Sequence, residues 1–116
     1  MNNSPGAANV ARLADMLAAM GTEPRLRIMR LLLSAHPGGL VVSDIQQDLG
    51  IPGPTLSHHL EKLRTNDLVL REREGTFVRY SVNTESLRAL LGFLYAECCG
   101  RDKPVSREEL LQRCRC

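Results

Sequence analysis

The stretch that decides the fold is PTLSHHLEKLRTND at residues 54–67, followed directly by LVLREREGTFVRYSVN at residues 68–83. In the first segment three leucines recur at helical spacing, and Pro54 suits the first turn of a helix. In the second segment apolar and polar residues alternate on either side of Glu74-Gly75, which is typical of a two-stranded hairpin with a charged tip. The sequence therefore predicts a helix followed at once by a β-hairpin.

A shorter helix is predicted immediately before this pair, in SDIQQDLG at residues 43–50. Ser43 and Gln46 have the spacing of a capping box, and Gly50 supplies a stop signal. The tight connection IPG joins this helix to the next one, which predicts a helix-turn-helix. A helix-turn-helix followed by a hairpin is the winged-helix arrangement.

Apolar periodicity predicts three longer helices, over residues 8–20, 22–35 and 84–99, with Thr84 as the candidate cap of the last. A short final helix is predicted to begin at Ser106. The residues expected to share an apolar face are Val10, Leu13, Leu17 and Met20 on the first helix, and Leu26, Met29 and Leu33 on the second.

The fold class is therefore expected to be mainly α with a small β-hairpin, arranged as a winged helix-turn-helix. We assign residues 1–100 to a DNA-binding and dimerisation domain and residues 101–116 to a flexible C-terminal tail. A chain of 116 residues can bury only a modest core, so a partner chain would help it.

Composition narrows the class of protein. The chain has no membrane-length apolar run and no secretory signal at its N-terminus, so we expect a cytoplasmic protein with reduced thiols and no membrane partner. It also lacks a phosphate loop, a redox Cys-x-x-Cys motif and a nucleophile–base motif. We therefore expect neither an enzyme nor an organic cofactor.

The helix that begins near Pro54 has an apolar side and a polar side. Leu56, Leu60 and Leu63 cluster on one side, and short hydroxyls, an imidazole and a lysine lie on the other, where they can bond phosphates or base edges. The hairpin arginines could reach phosphates beside the groove. The predicted contacts to double-stranded DNA are Pro54, Thr55, Ser57, His58, Lys62, Arg71, Arg73 and Arg79. An ordinary solvated face is the alternative, and His59 is expected to pack in the helix junction.

All four cysteines lie at the end of the chain, at Cys98, Cys99, Cys114 and Cys116. A cluster made only of thiolates selects thiophilic ions, and trivalent arsenic or antimony prefers three sulfurs. The vicinal pair plus one later cysteine meets this requirement. Structural zinc, a thiol redox switch and an uncommitted tail with incidental cysteines remain alternatives.

The sequence resembles the ArsR/SmtB family of metalloregulatory winged-helix repressors. The likeness lies in TEPRLRIMRLLL (22–33), LVVSDIQQDLGIPGPTLSHHLEKLRTNDLV (40–69) and REREGTFVRYSV (71–82). This resemblance implies a homodimer built on the first and last long helices. It also implies that the protein binds an operator without metal and releases it when metal arrives.

The chain departs from the best-known members of that family at their metal sites. Where arsenic and cadmium/lead sensors carry Cys-Val-Cys-Asp, this sequence has Val41, Val42, Ser43 and Asp44. Zinc and nickel sensors use Asp and His on the last helix, but here the histidines are His36, His58 and His59. The chain resembles instead a subset with a C-terminal Cys-Cys arsenic site. We therefore predict a repressor released by As(III) or Sb(III), with a redox-responsive, other soft-metal or methylarsenite-responsive repressor as the alternative.

Overall fold

The computed structural model describes the backbone of residues 7–99 and the side chains of residues 10–96. The predicted tail at residues 101–116, its helix from Ser106 and the domain boundary near residue 100 lie outside these ranges and stay predictions. The helices are α1 (Ala7–Met20), α2 (Glu23–Ser34), α3 (Val42–Leu49), α4 (Gly53–Thr65) and α5 (Thr84–Cys99). The strands are β1 (Leu40–Val41), β2 (Val69–Glu74) and β3 (Phe77–Val82). The predicted fold class, mainly α with a winged helix-turn-helix, is confirmed.

The described part of the chain divides into two compact units, with the boundary between Ser86 and Leu87. The first unit holds α1 to α4, the sheet and the first turn of α5, and the second holds the rest of α5. In the part of the chain that the structure describes, no helix is both long and apolar enough to cross a membrane.

The hairpin is part of a three-stranded antiparallel sheet of order β1-β3-β2. Strand β1 was not predicted, because two residues are too few to show an alternating pattern. Leu40 pairs with Tyr80 and Val41 pairs with Arg79. Gly39 precedes this pairing with a φ of 78°, and a Cβ at that position would overlap the carbonyl oxygen of Tyr80. A glycine is therefore required where the chain enters the sheet.

The capping-box prediction for α3 was wrong. Strand β1 runs directly into the helix, so Val41 occupies the N-cap position and Ser43 lies inside the first turn, without a side-chain cap hydrogen bond. The predicted stop is confirmed, because Gly50 adopts a left-handed φ of 67° and its N–H donates to the carbonyl oxygen of Gln46 at 2.8 Å. Pro54 takes the second rather than the first position of α4, which begins at Gly53.

At the start of α5, the side chain of Asn83 rather than Thr84 caps the helix. The Oδ1 atom of Asn83 accepts a hydrogen bond from the backbone N–H of Ser86 at 3.3 Å. The candidate cap at Thr84 was thus one residue too late. Asparagine is a favoured N-cap residue for the same reason as threonine, since its side-chain oxygen satisfies an N–H of the first turn.

The core of the first unit lies between α1, α2, α3, α4 and the sheet. Its buried residues are Leu13, Met16, Ala19, Ile28, Met29, Leu32, Ile45, Leu56, Leu60, Leu63, Leu68, Val69, Tyr80 and Val82. The leucine stripe predicted for α4 is confirmed. Of the residues predicted to share an apolar face on α1 and α2, Leu13 and Met29 are buried, whereas Val10, Leu17, Leu26 and Leu33 are between 44% and 57% exposed. Runs of neighbouring apolar residues allow two helical faces, and packing selects one of them.

Candidate nucleic-acid interface

The polar side of α4 faces solvent. The three leucines on the opposite side of the helix, Leu56, Leu60 and Leu63, are at most 1% exposed and pack in the core. The predicted DNA-contacting residues of α4 are all exposed: Pro54, Thr55, Ser57, His58 and Lys62. The hydroxyl, imidazole and ammonium groups of this surface can bond phosphates and base edges.

The register of the hairpin separates its charges onto two faces. Arg71 lies opposite Tyr80 in the β2–β3 ladder, and Tyr80 is buried in the core. Because side chains alternate along a strand, Arg71 and Arg73 share the core-directed face, while Glu72 and Glu74 occupy the other face. We call the face with Arg71 and Arg73 the cationic face of the hairpin.

A cleft of about 430 Å³ lies between α3, α4 and the hairpin. Its polar lining includes Ser43 and Gln46 of α3, Ser57 of α4 and Arg71 of β2, and Phe77 contributes to its apolar lining. The fold thus brings Ser57 and Arg71, predicted separately from the sequence, to the same cleft. Sequence reasoning did not place Ser43 and Gln46 there, because their position depends on how α3 packs against the hairpin.

Arg79 has a different environment from Arg71 and Arg73. It pairs across the strands with Glu72, on the opposite face of the hairpin, and its Nε donates to Glu74 Oε2 at 3.0 Å. Its Nη1 also donates to the carbonyl oxygen of Gly39 at 3.3 Å. This guanidinium joins the hairpin to the loop before β1 and does not line the cleft.

The one acidic residue in the middle of α4 is paired with a cation. Arg64 donates to Glu61 at 2.5 Å, and this hydrogen bond is the main reason that the pKa of Glu61 is lowered, with a smaller contribution from Arg71. Glu61 in turn raises the pKa of Arg64. None of the four ion pairs within the described residues involves Lys62, Arg71 or Arg73. These three cations are therefore available to an anionic partner.

His59 lies half-buried at a junction of three helices, as expected from the sequence. Its Nδ1 is 3.2 Å from Nη1 of Arg25, and Nε of Arg25 donates to the carbonyl oxygen of Ala19 at 2.5 Å. Burial, followed by the neighbouring charges of Arg25 and His58, lowers the pKa of His59 below 6.5. Neither Arg25 nor this link could be assigned from the sequence, because 34 residues separate the two side chains.

The predicted metal ligands fall mostly outside the described part of the chain. Cys98 and Cys99 are the last two residues of α5, with helical backbone. Their side chains, and the whole of Cys114 and Cys116, lie beyond the described residues. Among the residues that are described, no group of three or more His, Cys, Asp or Glu side chains could hold a metal ion. The cysteine site remains a prediction.

An exposed polar helix beside a cationic hairpin defines a class: a winged helix-turn-helix DNA-binding protein. Residues 20–72 match a family model described as a helix-turn-helix domain. The HTH-type transcriptional regulator MJ1325 of Methanocaldococcus jannaschii is 32% identical over 69% of this chain and 88% of its own length. The transcriptional repressor SdpR of Bacillus subtilis is 30% identical, over 69% of this chain and 90% of its own length. A putative arsenical resistance operon repressor from Halobacterium salinarum is 34% identical, over 66% of this chain and 63% of its own length.

Solved structures give the same result. HlyU from Vibrio cholerae superposes with a TM-score of 0.63 at 31% identity, covering 78% of this chain and 96% of that one. The homodimeric winged helix-turn-helix DNA-binding domain of a possible ArsR-family transcriptional regulator from Mycobacterium bovis gives a TM-score of 0.65 at 27% identity, covering 90% and 97%. The chain belongs to the ArsR family of transcriptional regulators, which are DNA-binding proteins and not enzymes.

Proposed function

We propose that this protein is a homodimeric, cytoplasmic repressor that binds operator DNA and releases it when trivalent arsenic or antimony binds its C-terminal cysteines. The observation that carries the inducer assignment is the confinement of all four thiols to the segment from Cys98 onward, at the end of α5. A set of soft ligands without histidine favours thiophilic ions. The similarity to an arsenical resistance repressor supports the same assignment.

DNA binding is proposed to use α4 and the cationic face of the hairpin. The exposed side of α4 enters the major groove with its N-terminal residues toward the bases, as in other helix-turn-helix proteins. Arg71 and Arg73, on the hairpin face beside the cleft, contact backbone phosphates. Arg79 supports the hairpin instead, since its guanidinium is already bonded to Glu74 and Gly39.

This division of roles predicts different results for two arginine substitutions. Arg71→Ala should weaken binding about equally for all DNA sequences, because a phosphate contact carries no base information. The logarithm of affinity decreases with the logarithm of salt concentration. If each subunit loses one phosphate contact, this dependence should become shallower, with a slope smaller in magnitude by about 2 for the dimer. Fluorescence anisotropy with a labelled duplex, selected from a random-sequence library, measures this slope between low and moderate salt.

Arg79→Ala is the matched comparison on the neighbouring strand. It should leave the salt slope unchanged and lower the midpoint of thermal unfolding, because it removes hydrogen bonds between the hairpin and the loop before β1. An equal loss of salt slope in both variants would contradict the assignment of Arg71 and Arg79 to different faces.

The homodimer is proposed to form through α1 and α5. Val10 and Leu17 of α1 are exposed, as are Leu91 and Leu94 of α5. Large apolar side chains that recur on the exposed side of a helix favour a protein–protein contact. The similarity to a homodimeric winged helix-turn-helix domain supports this arrangement. Two copies of α4 at a fixed separation would match two operator half-sites.

The coupling between inducer and operator is a linkage of two binding equilibria. An ion bound at Cys98 and Cys99, with Cys114 or Cys116 as a third ligand, can lower operator affinity only if it binds the DNA-free form more tightly. A coupling of about 1–3 kcal/mol corresponds to a change of about 5- to 150-fold in operator affinity. Operator DNA should weaken ion binding by the same factor.

Operator binding by the reduced protein, titrated with arsenite, tests this proposal. Wild-type protein should release the selected duplex, and Cys98→Ser/Cys99→Ser protein should bind it equally well with and without arsenite. Cys114→Ser/Cys116→Ser protein locates the third ligand: loss of the arsenite response with a retained methylarsenite response places it in the tail. Release from the Cys98→Ser/Cys99→Ser variant by arsenite would contradict the proposal.

The second candidate is a thiol redox switch, favoured by the same clustered cysteines. Under this alternative, peroxide should release DNA, a thiol reductant should restore binding, and arsenite should have no effect under reducing conditions. Parallel titrations with arsenite, antimonite, cadmium and zinc under reducing conditions separate this alternative from a metal-responsive repressor.

A further inference from the structure

The helix with the proposed DNA-contacting residues is held to α1 by two polar links as well as by apolar packing. Arg12 of α1 forms an ion pair with Asp67, in the turn just after α4. Near the middle of α4, Arg25 bridges the carbonyl oxygen of Ala19 and Nδ1 of His59. Apolar contacts are non-directional, whereas hydrogen bonds require a defined geometry. The two links therefore constrain the rotation of α4 about its axis.

The guanidinium of Arg25 is itself well anchored. Its Nε bonds a carbonyl in the last turn of α1, where helical carbonyls lack partners within the helix and a cation is favoured. Its backbone N–H donates to Oγ1 of Thr22, the N-cap of α2, at 3.4 Å. Arg25 thus presents Nη1 to α4 from a position set by two other helices.

The protonation state of His59 decides whether the bridge exists. An arginine can only donate, so Nδ1 of His59 must accept, which requires the neutral imidazole with its proton on Nε2. When His59 is protonated, both ring nitrogens are donors and a second positive charge faces Arg25. The bridge then becomes a repulsive contact.

The residue next to His59 connects this bridge to the DNA surface. His58 lies on the exposed side of α4, and its ring centroid is 6.0 Å from that of His59. A rotation of α4 that separates His59 from Arg25 would also move His58 and Ser57 relative to the hairpin. The orientation of the proposed DNA surface therefore depends on the bridge.

We propose that Arg25 and neutral His59 form a positioning pair that holds α4 in its DNA-binding orientation, and that protonation of His59 releases this pair and weakens operator binding. The proposal rests on the proposed DNA-binding function of α4 but not on the identity of the inducer. It assigns His59 a role through Arg25 and not a contact with DNA.

The pH range follows from the surroundings of His59. The charged and titratable groups that act on it within the described residues are Arg25 from α2 and His58 from α4, and both disfavour its protonation, as does burial. Since the pKa in the folded protein lies below 6.5, the bridge is intact at neutral pH and is lost as the pH falls through the folded pKa. The unfolded chain binds this proton more readily, so stability also decreases with falling pH.

The comparison must separate the contribution of His59 from that of the adjacent His58. The informative variant is therefore His59→Asn, whose side-chain oxygen can accept from Arg25 near the position of Nδ1 but does not titrate. The operator affinities of wild-type and His59→Asn protein, measured by anisotropy from about pH 7.5 down to the lowest pH at which the protein stays folded, isolate the contribution of His59.

We expect the two proteins to bind similarly at neutral pH, and wild-type affinity to fall about 10-fold relative to His59→Asn over the acid range, a ratio typical of one hydrogen bond to a charged group. His59→Ala should bind about 10-fold more weakly than wild type at neutral pH, with little change in this deficit after Arg25→Ala is added. Circular dichroism at each pH restricts the comparison to folded protein. Parallel pH profiles for wild type and His59→Asn would overturn the proposal.

A measurement on wild-type protein without DNA tests the Arg25–His59 pair independently of the substitutions. Nitrogen-15 NMR of the wild-type imidazole ring should show His59 neutral at pH 7.5, with the proton on Nε2 and Nδ1 unprotonated. A proton on Nδ1 would overturn the positioning pair even if the protein binds DNA. Conversely, the expected tautomer together with no binding to any duplex would contradict the proposed function of α4, and with it the role of the pair.

Discussion

Replacing Gly39 by alanine is expected to lower the free energy of unfolding by about 3 kcal/mol or more. The added Cβ would overlap the carbonyl oxygen of Tyr80 and lie 2.9 Å from Cβ of Ser81. These atoms belong to β3, the central strand, so they cannot move aside without disturbing both ladders. The φ of 78° adds the strain of a left-handed conformation. Urea unfolding monitored by circular dichroism measures the loss.

Gly50→Ala is the matched control for this substitution. Gly50 has a similar φ of 67°, but nothing lies within 4 Å of an added Cβ. It should therefore cost only the conformational strain, about 1–2 kcal/mol. The difference between the two variants isolates the steric contact between Gly39 and β3. Equal costs for the two substitutions would contradict the close approach of Gly39 to β3.

Two adjacent leucines of α2 provide the second large effect. Leu32 is fully buried and Leu33 is 48% exposed. Leu32→Ala should reduce the free energy of unfolding by about 2–5 kcal/mol, through lost burial and the cavity that remains. Leu33→Ala should change it by about 0.5 kcal/mol or less, the usual result for a substitution at the surface.

The comparison is controlled internally, since both variants make the same chemical change in the same helix. Urea unfolding of each variant should be repeated at several protein concentrations. A cost for Leu33→Ala that depends on concentration would place Leu33 in a contact between chains. A concentration-independent cost as large as that of Leu32→Ala would contradict the orientation of α2 and restore the apolar face predicted from the sequence.

The part of the fold that could be predicted best is the part with the clearest periodicity. On α4 the leucines are separated by polar residues, so only one face can be buried, and Leu56, Leu60 and Leu63 are buried as expected. The hairpin was equally clear from the sequence, because Gly75 lies between two alternating segments. In the structure Gly75 is at the turn between β2 and β3, with a φ of 62°. Local pattern and tertiary packing favour the same structure at these places.

Prediction was less accurate where several local patterns compete. In α2, the run LRIMRLLL offers apolar residues on more than one face, so Leu26 and Leu33 were grouped on one face with Met29, although they are exposed and Met29 is buried. Ser43 has the spacing of an N-cap, yet pairing of Val41 with β3 moves the start of α3 forward. Both outcomes depend on contacts between elements, which sequence periodicity does not contain.

The candidate interface shows the same division. The exposed residues of α4 follow from helical geometry, but the separation of Arg71 from Arg79 requires the strand register. From the sequence alone, nothing distinguishes the roles of the three hairpin arginines. Arg79 differs from the arginines on the cationic face because it pairs with Glu72 and donates hydrogen bonds to Glu74 and to the carbonyl oxygen of Gly39.

The sheet order has a consequence for the behaviour of the protein in concentrated solution. Strand β2 lies at an outer edge of the sheet, where unpaired backbone groups could add a strand from another molecule. Its residues from Arg71 to Glu74 are charged and alternate in sign, and β1 at the opposite edge has only two residues. Charged and very short edge strands disfavour pairing with a strand of another molecule, which is a common first step of aggregation. The charges that divide the hairpin into two faces therefore also disfavour self-association through the edge strand β2.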